Sequence, residues 1–217
     1  MGAWQFMKLL RESHSEAATI ELATKLGNKL RASDVVCLLG PLGAGKTCFV
    51  RGLAKGLGID PSMVSSPSFV ICQEYNGQGT LKLAHIDAYR LSSPDELQTI
   101  GWDELCETPN TVLAIEWASL IESALPDCRI EVTLEHTGEN SRQITINVPD
   151  EIADRFEGIE NNIATSEKCR KCSKPIYSTA DTYPFCSNRC RFADLGSWFD
   201  ESYMTSRQAD ADDYPDE

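Results

Sequence analysis

Lys46 and Thr47 close the run Gly40-Pro-Leu-Gly-Ala-Gly-Lys-Thr47, which fits G-x-x-x-x-G-K-[ST]. A lysine at that point reaches the β- and γ-phosphates of a nucleoside triphosphate, and the threonine hydroxyl holds magnesium. Gly40, Gly43 and Gly45 let the backbone curl. The N–H groups of Ala44, Gly45, Lys46, Thr47 and Cys48 can then point at phosphate oxygens. ATP and Mg2+ are the expected ligands, and a Gly-rich strand-to-helix turn is the plain alternative. Hydrolysis asks for more: a second magnesium ligand and a group that orients water. Two acids stand where strands should end, Asp87 in His85-Ile-Asp-Ala-Tyr-Arg90 and Glu116 directly after Thr111-Val-Leu-Ala-Ile115. In an open α/β sheet the ligand lies beyond the carboxyl ends of the strands, so both acids could face one crevice. An exposed carboxylate at a strand end is the alternative for each. Far downstream, Cys169-x-x-Cys172 and Cys186-x-x-x-Cys190 are separated by thirteen residues. Two close pairs at that spacing bring four thiolates to one structural zinc, with disulfides as the alternative.

These residues need elements to carry them. Val35 to Leu39 reads as a buried parallel strand and Cys48 to Lys55 as the helix after the loop. Ser13 to Leu30 has helical spacing, with Ser13 and Glu16 as a possible capping box. Phe69–Tyr75 and Leu81–Asp87 read as strands around Asn76-Gly77. Pro94–Ile100 reads as a short helix ended by Gly101. Thr111–Ile115 is a further buried strand. Alternating Ile130, Val132, Leu134 and then Ile144, Ile146, Val148 predict a hairpin around Thr137–Ser141. The expected fold is α/β: a P-loop NTPase sheet with antiparallel additions, a small C-terminal zinc knuckle, and a disordered acidic tail. The expected boundaries are an ATPase domain over 1–155, a linker over 156–167, a zinc-binding domain over 168–204 and the tail over 205–217.

The chain has 217 residues, a formal charge of −13 and 41% hydrophobic residues, enough for one medium domain with a core and something small. No apolar run is long enough to span a bilayer, and no basic-then-apolar leader opens the sequence. A cytoplasmic, non-membrane protein is expected. Cys37, Cys48, Cys72, Cys106 and Cys128 are scattered and read as reduced, small hydrophobes. Residues 1–160 hold 13 basic and 23 acidic side chains, which argues against tight direct nucleic-acid binding by that part. Residues 161–193 are basic, and eight acids follow from Asp194 onward.

Taken together, Gly40–Thr47, Ser65-Ser-Pro-Ser-Phe69, His85-x-Asp87-x-Tyr89-Arg90 and Ile115-Glu116-Trp117 resemble the TsaE family in order and spacing. That family is the bacterial P-loop ATPase working with TsaB and TsaD in threonylcarbamoylation of adenosine 37 of tRNA (t6A). The resemblance covers about residues 10–150. It implies a Mg-dependent ATPase that resets the TsaB–TsaD assembly and does not itself transfer the group. It implies Thr47 and Glu116 as magnesium ligands, Asp87 and Lys46 as catalytic, Ser65–Phe69 as a switch segment, and Arg142 near the nucleotide. Contact with tRNA is then indirect, through the partners. Ser68 stands where the family usually has Thr.

Pro184-Phe-Cys-Ser-Asn-Arg-Cys-Arg191, Asp194-Leu-Gly-Ser-Trp198 and the acidic end resemble YacG, a small zinc protein that inhibits DNA gyrase through its GyrB chain. This implies Zn2+ on Cys169, Cys172, Cys186 and Cys190. It also makes Phe192, Leu195, Trp198 and Phe199 candidate gyrase anchors; packing against the ATPase domain is the alternative. The cysteine pairs here are about two residues closer than is usual in YacG, and Arg170 replaces a Pro. A rival reading is a nucleotide-dependent regulatory switch whose zinc module binds and inhibits gyrase. A small-molecule kinase is disfavoured by the lack of an Arg-rich lid.

Overall fold

In the computed structural model, residues 6–69, 71–91, 93–159, 166–173, 175–177 and 182–200 are described. They fall into two compact units, residues 1–164 and 165–217. The first opens with β1 (Phe6–Ser13), α1 (Glu16–Gly27), β2 (Val35–Leu39) and α2 (Lys46–Gly56). It continues through β3 (Cys72–Asn76), β4 (Lys82–Asp87), α3 (Trp102–Glu107) and β5 (Thr111–Glu116). The hairpin β6 (Ile130–His136) and β7 (Arg142–Pro149) and the short α4 (Asp150–Ala153) complete it.

One seven-stranded sheet runs in the order β1-β7-β6-β2-β5-β4-β3. Its centre is parallel: β2 pairs with β5 and β6, and β4 with β5. The edges are antiparallel, through β3–β4, β6–β7 and β1–β7. The apolar runs of β2 and β5 are buried on both faces, which is why they show no alternation of hydrophobic and polar residues. Val36, Leu38, Val112 and Ala114 join α1 and α2 in one core; Val35, Cys37, Leu113 and Ile115 join Trp102, Leu105 and Ile121 in the other.

Successive residues of a strand point to opposite faces. Leu83 and the pair Val112/Ala114 belong to the core on the α2 side. The same parity carries His85, Asp87 and Glu116 to that side. In register, Asp87 stands opposite Glu116. The two acids therefore meet at the carboxyl end of the sheet beside the start of α2.

α1 and α2 approach closely because glycine occupies the crossing. A Cβ on Gly52 would lie 2.4 Å from Ala23 Cβ and 2.5 Å from the Ile20 carbonyl oxygen. Backbone on the far side cannot yield, so Gly52→Ala is expected to destabilise the first unit by about 1–3 kcal/mol. Urea unfolding checks this; an unchanged midpoint would show that the helices can separate at no cost.

Several expectations are corrected. The segment before the first helix is strand β1, paired along its length with β7, and the expected helix begins three residues late. Ser15, not Ser13, caps α1, its side chain accepting from the Ala18 N–H; Ser13 instead bonds Thr19 and the Ser15 carbonyl. β1 escapes detection because Leu9 and Ser13 are its only buried residues. The strand expected from Phe69 starts at Cys72, since Ile71 takes a left-handed φ of 66°. Phe156 and Ile159, both inside the expected linker, are buried in the α1/α2 core. Residues 160–165 of that linker and the expected tail 205–217 lie outside the described residues. Among the described residues no helix is long and apolar enough to cross a membrane.

The second unit contains the hairpin β8 (Ser166–Lys168) and β9 (Pro175–Tyr177) and the helix α5 (Asn188–Asp200).

Candidate functional site: a phosphate loop and a four-cysteine cluster

β2 ends at Leu39 and α2 begins at Lys46, with the loop Gly40–Gly45 between. Gly40, Gly43 and Gly45 take φ of 138°, 78° and 99°, a region that side chains with a Cβ avoid. Gly40 also has no room: a Cβ there would meet the Leu134 carbonyl oxygen at 2.3 Å. The helix N-terminus behind Gly45 adds a partial positive charge.

An open cleft of about 410 Å³ lies over this loop. Of the expected site residues, Gly43, Gly45, Lys46, Thr47, Cys48, Asp87 and Glu116 line it. Gly40 and Ala44 stand behind the lining, Ala44 buried at 1% exposure. Thr47 Oγ1 donates to Glu116 Oε1 at 2.7 Å. His85 Nε2 lies 2.9 Å from the same oxygen. His85 is fully buried, so its ring fixes the Glu116 carboxylate from the sheet side while Thr47 meets it from the helix. Asp87 Oδ2 accepts from Ser66 Oγ at 2.7 Å and Oδ1 from the Tyr89 N–H at 3.1 Å. Ser66 Oγ is in turn 2.7 Å from Ser68 Oγ. The Ser65–Phe69 segment is thereby tied to Asp87.

Lys46 is closed onto its own loop. Its Nζ donates to the carbonyls of Gly40 (2.8 Å) and Pro41 (2.9 Å) and sits 3.7 Å above the Trp117 ring. Burial lowers its pKa, and the nearby Glu116 and Asp87 carboxylates partly oppose this. Trp117 reaches that position through a left-handed turn, φ 59°, directly after β5. A desolvated cation held only by two carbonyls and a π-face gains on meeting phosphate oxygens. The loop, the ammonium and the hydroxyl–carboxylate pair of Thr47 and Glu116 suit a triphosphate with its magnesium.

Arg142, at the start of β7, lies behind the loop. Its Nε would be 3.5 Å from a Cβ on Gly45, while Nη1 donates to Thr19 Oγ1 at 3.0 Å and the Ser15 carbonyl at 3.3 Å. It braces the loop against α1 and does not line the cleft. Sequence reasoning missed two contacts: His85 behind Glu116 and Trp117 beneath Lys46. The alternation Leu83, His85, Asp87 was the available signal for the first. For Trp117 the local sequence held none, since its position depends on one backbone turn.

In the second unit the four sulfurs of Cys169, Cys172, Cys186 and Cys190 lie within 4.8 Å of one another. Burial pushes the Cys169 thiol up. Backbone donors from Cys172, Cys186 and Lys171 outweigh that and bring it to about 6. Sharing a proton with Cys172, together with burial and the Cys190 and Cys169 sulfurs, pushes Cys186 up to about 12. A four-thiolate donor set of this geometry suits tetrahedral zinc. Phe192 is exposed; the side chains of Leu195, Trp198 and Phe199 lie outside the described residues.

Comparison with known proteins agrees with this geometry. The family model "Threonylcarbamoyl adenosine biosynthesis protein TsaE" matches residues 13–144, and "DNA gyrase inhibitor YacG" matches residues 167–216. A "tRNA threonylcarbamoyladenosine biosynthesis protein TsaE" of Bacillus subtilis is 42% identical over 127 residues, 58% of this chain and 75% of that protein. One of Treponema pallidum is 40% identical over 134 residues, 62% of this chain and 96% of that protein. A structure titled "Crystal structure of Bacillus subtilus YdiB" superposes with a TM-score of 0.58 at 31% identity, covering 71% of this chain and 97% of that one. With the loop, the two strand-end acids and the 13–144 match in agreement, this chain belongs to the TsaE family and carries a YacG-type segment behind its P-loop unit.

Proposed function

We propose that this chain is the ATP-hydrolysing member of the machinery that puts threonylcarbamoyl on adenosine 37 of tRNA. It acts in the cytoplasm with TsaB- and TsaD-like proteins and does not transfer the group itself. The observation that carries this reading is the convergence of Lys46, Thr47, Asp87 and Glu116 on one cleft.

In this reading the loop N–H groups and Lys46 bind the phosphates. Thr47 and Glu116 would hold magnesium, which when bound would supply neutralisation of phosphate charge. His85 keeps the Glu116 carboxylate aimed at the hydroxyl of Thr47. Asp87 orients the attacking water, because two donors fix its plane and a carboxylate has lone pairs to spare. Ser66, bonded to Asp87, gives the Ser65–Phe69 segment a contact that a γ-phosphate can compete for. A segment with two such arrangements is what resetting a partner complex requires. Glu116→Ala is expected to weaken nucleotide binding about 10-fold or more in magnesium and little in EDTA. Equal weakening in both would remove Glu116 from the metal.

Expression of residues 1–160 in cells lacking TsaE tests the whole reading. Restored t6A is expected; soluble protein without the modification would defeat it. Zn2+ on the four cysteines is the matching proposal for the second unit, and metal analysis should find about one zinc per chain. A second reading is supported by the name of the family that matches 167–216: the unit binds and inhibits DNA gyrase. Unchanged supercoiling at saturating protein would remove that claim.

A further inference from the structure

We propose that the zinc unit carries a site for single-stranded RNA, built from Arg170, Lys171, Arg189 and Arg191 with the rings of Tyr183 and Phe192. That it is RNA rests on the tRNA-modification reading above; the site itself does not.

The four-sulfur cluster brings these residues together. Arg170 and Lys171 lie between Cys169 and Cys172, Arg189 and Arg191 flank Cys190, and Phe192 follows two residues later. With all four sulfurs within 4.8 Å, the attached backbones must converge. Two hydrogen bonds lock the two halves: Cys186 N–H to Cys169 Sγ at 3.3 Å, and Arg170 N–H to the Pro184 carbonyl at 3.3 Å. The second holds the Arg170 backbone against Pro184, the residue after Tyr183.

All four cations are exposed. Tyr183 is 42% and Phe192 67% exposed, so both rings present surface to solvent. On α5, Arg189 and Phe192 are three residues apart and so share a face. Cations that track phosphates beside rings that stack on unpaired bases are what single-stranded nucleic acid requires.

The charge distribution supports this choice. Residues 1–160 carry 23 acids against 13 bases and repel a polyanion. Residues 161–193 carry six Lys or Arg against Glu167 and Asp181, and eight acids against Arg207 follow from Asp194, so basic charge is confined to the segment that holds the metal cluster. A purely local role, in which the cations offset the charge of the thiolates, explains neither exposed ring.

The test is fluorescence anisotropy of the zinc-loaded full chain with an anticodon stem-loop RNA, a blunt RNA duplex and the single-stranded DNA of the loop sequence. Binding of the stem-loop is expected to exceed both controls, with a log–log salt slope of about −3 for four phosphate contacts. The triple variant Arg170→Ala/Arg189→Ala/Arg191→Ala should retain its zinc and reduce the slope to about −1. Phe192→Ala should weaken binding about 10-fold with the slope unchanged. A zinc-loaded triple variant that binds as the parent does overturns the site, as does absence of binding at low salt. Equal binding of all three probes overturns the single-stranded RNA assignment. If GyrB alone is captured, and the same triple variant loses it, the surface belongs to a protein. Because the assay contains no ATP, failed t6A complementation leaves its result standing, and a negative result here leaves the ATPase reading intact.

Discussion

Lys46→Ala is expected to cut ATP turnover by at least about 100-fold while the chain stays folded. In phosphoryl transfer the protein works by positioning and charge, and Lys46, at the start of α2, lines the cleft together with Arg90. Two effects compete in the variant. Removing a buried side chain loses packing, yet Lys46 is a desolvated ammonium whose pKa burial has lowered. Its partners are two loop carbonyls that water can reach through the open cleft and one face of Trp117. The acids do not depend on it: Glu116 keeps Thr47 and His85, and Asp87 keeps Ser66 and the Tyr89 N–H. The stability cost should therefore be small. Steady-state phosphate release alongside thermal unfolding separates the two effects. Parental turnover in a folded variant would dissociate the lysine from catalysis.

The second large effect concerns the metal. Chelation, or Cys186→Ser, is expected to unfold the zinc unit and leave the ATPase unit folded. Among the side chains of the zinc unit whose burial is described, Cys169, itself a metal-ligand candidate, is the buried apolar one. Two three-residue strands and one helix offer little area to offset their ordering entropy. Apparent binding energies of about 10–16 kcal/mol make a structural zinc site equivalent to folding. The ATPase unit has two cores of its own, one on each face of the sheet. In an NMR spectrum with EDTA, dispersed amides of residues 166–200 should collapse while those of 6–159 hold. Retained dispersion in both would show that the knuckle folds without metal.

Much of this was legible in the chain. Gly43 and Gly45 announced the loop because only glycine takes those φ values at low cost. The five-residue run before the loop and Val112–Ile115 announced central strands because they are apolar on both faces. The spacing of Cys169, Cys172, Cys186 and Cys190 announced a metal site because close pairs are pre-formed chelates. These signals are local, and each follows from the conformational or ligand preferences of a few neighbours. β1 was hidden because an edge strand covered on one face needs only one or two apolar residues. The start of α1 shifted because Ser13 and Ser15 are both competent caps, and pairing with Arg142 in β7 claimed Ser13 for the sheet.

From the order of residues alone came the phosphate loop, the two strand-end acids and the cysteine quartet, since each depends on short-range chemistry. Tertiary structure alone decided that Glu116 is shared by Thr47 and His85, that Lys46 rests on Trp117, and that Arg142 turns toward α1. Alternation along a strand defines two faces without saying which one meets α2. That choice belongs to register and to the side on which the helix packs, and both are set by the whole core at once.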